Sequence, residues 1–577
     1  MPTSTRKSTS ASCDADNSIK ETATCELSDV TKLPESTNCM ACSEDGAYLS
    51  LGHSKGLSVW SAVSLTCVGE WLQERLEMTS IQMATMTEMT YLLGTVDDMG
   101  VARVLAYHSE GIHLLHVINN MEDINKRSIC LSFQLSKGGE YGAAAFSCSG
   151  AVWLEVYHFP TETWLKELEM MSQRQDPNSS GVLDVKWSPV AVIIEIKPSE
   201  TLLEGPLKPS QMKDFQTHCL ALDRGTSSPQ QQETFNTDNG QTNERSDRLR
   251  HCTVHFLLPL VGGTKGKPAR FPVAVCVWWS SSCNLLQYLL QKPQKNKPDV
   301  KVMPDVLWPN ANEILCSAVS GCTRYVALGL RDAVVCVWDR QLGSPLSVFS
   351  VSNRDSVFSK IRFVDYWPVS SDDPLICSTA ELHLLVICKS GAMHAVKTGR
   401  GRKPSTLEFI ERPKDNGDLQ TITASVPFLQ GLSLVVQRNG KIFLQDVINK
   451  TIACFLSLPA SYLVASPCSP VYALNINQQT LYIRGDPKPS SSAFLKEDCQ
   501  SHLYILKFGE RDVFKPYIVS PSNSPRQERT FSFVSLAEAC NVYLQQRVGS
   551  VEERNNAVTQ TWKRLPETAL MVQKRNT

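Results

Sequence analysis

The segment Cys39–Trp71, CMACSEDGAYLSLGHSKGLSVWSAVSLTCVGEW, has a distant partner in Cys316–Val351, CSAVSGCTRYVALGLRDAVVCVWDRQLGSPLSVFSV. Each runs small residues, a turn, an apolar stretch, a second turn, and an alternating stretch that reaches Val-Trp. This is the pattern of one propeller blade, a four-stranded antiparallel sheet. A blade of roughly 40 to 45 residues cannot bury both its faces alone, so two such segments imply an array of them. The expected fold is therefore all-β, a β-propeller.

Walking from Cys39, apolar and β-branched stretches alternate with Gly, Ser, Asp and Asn turns. A second unit is read around 81–118 and a third around 129–168. A fourth starts at Leu183 with LDVKWSPVAVIIEI and is broken by the polar, low-complexity stretch at about 225–250. It resumes with CTVHFLLPL. The fifth carries Trp338-Asp339, and three more follow, beginning at KIRFVDYW, TITASVPF and YLVASPCS. The count is seven or eight, according to whether the last unit closes the ring.

The expected boundaries are a disordered tail over 1–37, a propeller over 38–510, a linker over 511–530, a helical segment over 531–566 and a tail over 567–577. Residues 1–37 lack periodicity and have few large apolar side chains, so burial there does not offset the entropy of ordering. After Pro525, Ser535 and Glu538 have capping-box spacing. Apolar residues then recur at helical intervals from Leu536 to Leu565. Two readings stay open for that stripe: packing on the propeller, or binding a partner helix.

Composition narrows function by exclusion. Lys and Arg number 57 against 58 Asp and Glu, a net charge of −1, which supplies no whole-chain field for nucleic acid or anionic membrane. Twenty cysteines lack framework spacing and read as free thiols in a reducing compartment. No apolar run approaches the roughly 18 residues that suggest a membrane span. The expectation is a cytoplasmic protein.

The chemical motifs are weak. Cys39 and Cys42 form a CxxC with no second ligand pair at zinc spacing, and read as small strand residues. Gly262–Pro268 lacks the spacing and hydroxyl of a phosphate loop. Gly52-His53 stands only seven residues before Trp60 and belongs to a hairpin. The 11 histidines show no HExxH, and no GxSxG elbow is present. Trp338 and Asp339 read as a packing indole and a hairpin carboxylate. No catalytic residue, cofactor or metal site is expected, and the chain is not expected to be an enzyme.

Two basic stretches stand out: Lys292, Lys295, Lys297 and Lys301, and Lys397, Arg400, Arg402 and Lys403. Each follows a third-strand candidate and would form a third-to-fourth-strand turn, on blades flanking the fifth. Such turns emerge on one side of a propeller. The two would make a basic face able to meet an acidic surface such as a tubulin tail or a nucleic-acid backbone. The competing reading is ordinary solvated loops.

With DAVVCVWD as its best match and GLSVWS and VKWSP as weaker ones, the chain resembles the WD-repeat superfamily over about 39–510. Most blades lack the Trp-Asp pair, so the resemblance is to a WD40-like propeller of degenerate blades. The degenerate blades, polar insertion and helical end are similar to the WD repeat-containing protein 93 family. That resemblance implies a non-enzymatic scaffold in the central apparatus of the motile-cilium axoneme, with other proteins as partners, axonemal proteins and tubulin among them. The alternative from another class is a nuclear or cytoplasmic adaptor for RNA, chromatin or a ubiquitin ligase.

Overall fold

The computed structural model describes residues 23–119, 128–174, 186–198, 251–260, 271–290, 302–351, 357–364, 381–399, 403–413, 415–429, 431–447, 449, 451–488 and 500–518. Their strands form eight separate sheets, the blades of an eight-bladed propeller. In blades 1 to 7 four strands follow one another in sequence order, each antiparallel to the last. The first strands are Cys39–Cys42, Met78–Thr87, Ile129–Leu135, Cys252–Leu257, Ile314–Val319, Phe358–Phe363 and Gln420–Ser425. In blade 8 the short strands Tyr462–Val464 and Tyr472–Asn475 share that place. Neighbouring first strands also meet one another: Gln82 Nε2 donates to the Phe133 carbonyl and Gln82 Oε1 accepts from the Leu135 N–H, both at 2.8 Å.

Blade 5 shows why these residues make these strands. Its second strand, Tyr325–Leu330, is buried throughout, and its third, Val334–Asp339, is buried after its first residue. Strands sandwiched between neighbouring blades are apolar on both faces and so do not alternate. The fourth strand, Ser344–Ser350, lies outermost and mixes half-buried with exposed residues. Core packing is therefore divided into apolar clusters at the joints between blades.

Two boundaries differ from the sequence reading. The stretch from Leu183 does not open blade 4: Ala191–Ile196 is the fourth strand of blade 3, and blade 4 opens with Cys252–Leu257. A helix, Thr161–Arg174, intervenes after the third strand of blade 3. Its Trp164 and Leu168, four residues apart on one helical face, are fully buried. Trp164 Nε1 donates to the Ser188 carbonyl at 2.9 Å, and the Ser188 hydroxyl donates to Glu167 at 2.6 Å. Trp187-Ser188-Pro189 thus anchors a helical crossover and does not end an inner strand.

The second correction concerns the tail expected over 1–37: the part of it that is described, from Ala23 onward, forms strands. Thr24–Glu26 runs parallel to Thr451–Ser457 at the outer edge of blade 7. Ser28–Lys32 pairs antiparallel with His502–Lys507 and supplies the outer strand of blade 8. The chain's beginning therefore closes the ring on its last blade, and that settles the count at eight. Cys25, Leu27 and Leu33 bury their side chains there, and Leu33 N–H donates to the Ser501 carbonyl at 2.9 Å. A strand whose partner lies more than 450 residues away leaves no local periodic signal. The helical segment expected over 531–566 and the polar stretch at 225–250 lie outside the described residues.

Candidate interaction surfaces

The strongest motif is structural. Trp338 Nε1 donates to Asn310 Oδ1 at 3.1 Å, and its ring stacks on Trp308 of blade 4 with centroids 5.9 Å apart. Asp339, 1% exposed, accepts from Arg324 Nη2 at 3.0 Å and from the Gln341 N–H at 2.9 Å. Indole and carboxylate together tie a hairpin of blade 5 and dock it on blade 4. A similar tie joins the same two blades nearer the axis. Trp278 Nε1 donates to Ser317 Oγ at 2.8 Å, and Ser317 lies 2.7 Å from His255 Nε2. Burial pushes the His255 imidazole down to about 4, so it is neutral at pH 7.

Cys39 and Cys42 share the first strand of blade 1, where burial pushes both thiols up to about 12. A thiol that holds its proton so firmly is a poor nucleophile and a poor metal ligand. Among the described residues, no group of three or more His, Cys, Asp or Glu side chains is placed to hold a metal ion. Gly262–Pro268 lies outside the described residues.

Strand boundaries locate the two basic stretches. Lys292, Lys295, Lys297 and Lys301 fall between the third strand of blade 4, Asn284–Leu289, and its fourth, Val306–Pro309. Lys397 lies in the third strand of blade 6, Met393–Gly399, and Lys403 precedes its fourth, Ser405–Ile410. Lys397 and Lys403 are exposed. The other six of these eight residues lie outside the described residues, so no geometry joins the two loops. In an antiparallel blade, third-to-fourth connections leave from the same end as first-to-second ones.

A second cationic region, not singled out by the sequence reading, lies at the joint of blades 6 and 7. Lys360 and Arg362 are the only Lys, Arg, Asp or Glu residues in the first strands of all eight blades. Ile361 and Phe363, which alternate with them, are buried in the cluster shared with blade 5. The two-residue period of a strand therefore turns Lys360 and Arg362 toward blade 7. Arg362 Nη2 donates to Ser433 Oγ of that blade at 2.8 Å. Burial, and then the nearby Arg362 charge, hold the Lys360 amine below its usual pKa, although the side chain is exposed. The signal was present in KIRF as two cations at i and i+2 within an otherwise apolar inner strand.

At the hairpin-turn end of this joint is a cavity of about 480 Å³, lined by Lys389 and Ser390 of the blade 6 hairpin turn and by Arg412, Pro413, Asn416 and Leu419 of the connection to blade 7. The lining holds two cations and no carboxylate. A larger cavity of about 740 Å³ lies among the first strands of blades 2, 3 and 4, with Ser132, Gln134 and Thr253 among its neutral polar groups. Asp97 and Asp98 line it as well, Asp97 paired with Arg103 at 2.6 Å, so its charge is acidic.

Eight four-stranded blades, closed by an N-terminal strand and pinned by a Trp-Asp hairpin, define a β-propeller of the WD-repeat type. Residues 37–335 match the model of the WD repeat-containing protein 93 family, and the chain belongs to that family. Solved structures similar to it include the beta-propeller domain of Myceliophteria thermophila Cps50 (Swd1), at 8% identity and TM-score 0.36, covering 83% of this chain and 99% of that one. Chaetomium thermophilum Raptor is similar at 9% identity and TM-score 0.37, over 84% of this chain and 29% of that one. Chaetomium thermophilum Sqt1, solved bound to the N-terminus of the ribosomal protein L10, is similar at 12% identity and TM-score 0.44, over 84% of this chain and 99% of that one.

Proposed function

We propose that this protein is a non-enzymatic scaffold that holds other proteins on the surfaces of its ring, as a structural part of the motile-cilium axoneme. The observation that carries the scaffold reading is the closure: the outer strand of blade 8 comes from Ser28–Lys32, so a covalently continuous chain becomes a ring with no open end. Closure lets each blade support its neighbours and keeps loops from distant parts of the chain in fixed mutual positions. Binding energy then comes from a few well-placed side chains on a rigid frame. The axonemal placement, in the central apparatus, is supported by the family resemblance. The basic loops of blades 4 and 6 suit an acidic partner such as a tubulin tail.

A tagged full-length chain in multiciliated cells tests this. The expected result is axonemal localisation, with proximity labelling of axonemal proteins or tubulin. That labelling should fall when Lys292, Lys295, Lys297, Lys301, Lys397, Arg400, Arg402 and Lys403 are reversed to Glu. A diffuse nuclear pattern, with nucleic-acid binding that weakens steeply as salt rises, would overturn it in favour of an RNA or chromatin adaptor.

A further inference from the structure

Three segments bring cations to the joint of blades 6 and 7. The Lys389 N–H donates to the Val357 carbonyl at 3.0 Å, which fixes the hairpin turn over the entry to the first strand of blade 6. Phe358 pairs with Cys388 and Lys360 with Ile387, so Lys360 follows just inside, and Arg362 lies two residues deeper. Arg412 faces the same cavity from the connection to blade 7. Carboxylates flank the mouth on the connection to blade 7: Glu411 is exposed, Asp415 accepts from the Gly417 N–H at 3.1 Å and Asp418 accepts from Asn439 Nδ2 at 2.8 Å. Among the described residues, no carboxylate forms an ion pair with Lys360, Lys389 or Arg412.

Lys360 and Arg362, two residues apart on one face of a strand, repel each other, and an anion that shares the site relieves that repulsion. The joint itself has the smaller apolar cluster. Among the described residues its apolar cluster is Leu385, Ile387, Met393, Ala395 and Val447, whereas the cluster on the other side of blade 6 has fourteen members. We propose that the seam between blades 6 and 7 is a docking groove for an extended acidic segment of a partner protein, with its acids at alternate positions. This rests on the scaffold reading and gives it a partner chemistry.

The spacing argues for alternation. Residues i and i+2 of a strand are about 7 Å apart and point to the same side, for protein and ligand alike. Lys360 and Arg362 therefore match every second side chain of an extended peptide. Carboxylates and phosphoserines both meet this requirement. A nucleic acid meets it less well, since single-strand binders add aromatic stacking platforms and the cavity lining has no aromatic residue. The seam cavity opens at the hairpin-turn end of the blades, opposite the end that carries the Lys397–Lys403 loop, so the two cationic regions can be disabled independently.

The test is fluorescence anisotropy on the full-length chain with four labelled Gly-Ser peptides, carrying alternate Glu, alternate phosphoserine, the same Glu residues contiguous, or alternate Lys. The alternate-Glu or alternate-phosphoserine peptide should bind more tightly than the contiguous one, and the alternate-Lys peptide should not bind. The tighter of the first two identifies whether carboxylate or phosphate is the natural source. Lys360→Gln, and separately the double variant Lys389→Gln/Arg412→Gln, should each weaken binding about tenfold. Lys360→Arg should retain it. Unchanged unfolding midpoints guard against a folding defect, and the Gln variants at exposed Lys389 and Arg412 leave the core untouched. Equal binding of acidic and basic peptides, affinity indifferent to all three Gln substitutions, or tighter binding of a single-stranded oligonucleotide would each overturn the proposal. If the protein still labels its cellular partners while the peptides fail, the seam proposal falls and the scaffold reading stands.

Discussion

Blade 6 has two neighbours and treats them differently. Toward blade 5 its first strand presents Phe358, Ile361 and Phe363, which join Tyr325, Val335 and others in a cluster of fourteen buried residues. Toward blade 7 the same strand presents Lys360 and Arg362, and the apolar cluster among the described residues has five members. One six-residue strand thus carries a dry face and a charged face: a register shift between Phe358 and Lys360 puts Phe358 on the dry side, and simple alternation separates Ile361 and Phe363 from Lys360 and Arg362. The dry joint holds the ring together, and the charged joint leaves a surface that can receive something. Burial area is what stabilises, so where a joint gives up area to charge, function is the better explanation than folding.

The largest expected effect comes from breaking the dry side. Phe358 is 1% exposed, and Phe358→Ala should cost about 3–5 kcal/mol through lost burial and the cavity left behind. Ile387→Val in the five-residue cluster should cost only about 0.5–1.5 kcal/mol. Urea unfolding of both variants measures the difference, although the two substitutions differ in size as well as place. Met393→Ala, in the charged joint, supplies a second large truncation. If it matches the Phe358→Ala loss, the two joints are equally important and the contrast fails.

A subtler probe of the dry joint is Gly329. A Cβ added there would lie 2.6 Å from Cys316 Sγ and 3.0 Å from Phe358 Cδ2, both in the cluster between blades 5 and 6. Gly329→Ala should therefore destabilise by about 1–3 kcal/mol through overpacking. A neutral result in thermal melting would mean that the joint is looser than its burial suggests.

How much of this contrast could be read from the sequence depends on range. Blade 5 was legible because hairpins are local: Tyr325–Leu330, its turn and Val334–Asp339 lie side by side in the chain, as they do in the sheet. The closing strand Ser28–Lys32 was not legible, because its only pattern is completed by His502–Lys507. The helix Thr161–Arg174 was missed because its two buried anchors, Trp164 and Leu168, follow directly on the strand-like run that ends at His158. For the candidate sites the limit was different. Charge runs such as Lys397–Lys403 announce themselves in one dimension, whereas Lys360, Lys389 and Arg412 become neighbours only when three separate segments meet at one joint.

Histidines offer a pH test of both kinds of joint. Burial holds His383, on the blade 7 side of blade 6, down to about 4, as it does His255 between blades 4 and 5. Between the ordinary value of 6.5 and 4 the unfolded chain takes up protons that these folded imidazoles refuse. Stability should accordingly fall as pH is lowered through that window and level off below it. Urea midpoints measured from pH 7 to pH 4 should fall less steeply in His255→Gln and in His383→Gln. An unchanged slope in either variant would show that its histidine is not held neutral by the fold.

The smallest expected effect is the most discriminating. Lys360→Met exchanges an exposed cation at the charged joint for an apolar chain of similar length, and surface changes of this kind usually alter stability by less than ~0.5 kcal/mol. The direction should be upward. The Lys360 amine has a folded pKa below its usual 10.5, so the fold binds that proton less tightly than the unfolded chain does. Wild-type stability should consequently rise with pH in the window just below 10.5, and Lys360→Met should lose that rise while gaining slightly at pH 7. Differential scanning calorimetry at pH 7 and pH 10 reads both effects. A lower midpoint for Lys360→Met at pH 7 would mean that the lysine stabilises the joint, and the division between a face that holds the ring and a face kept for a partner would no longer describe blade 6.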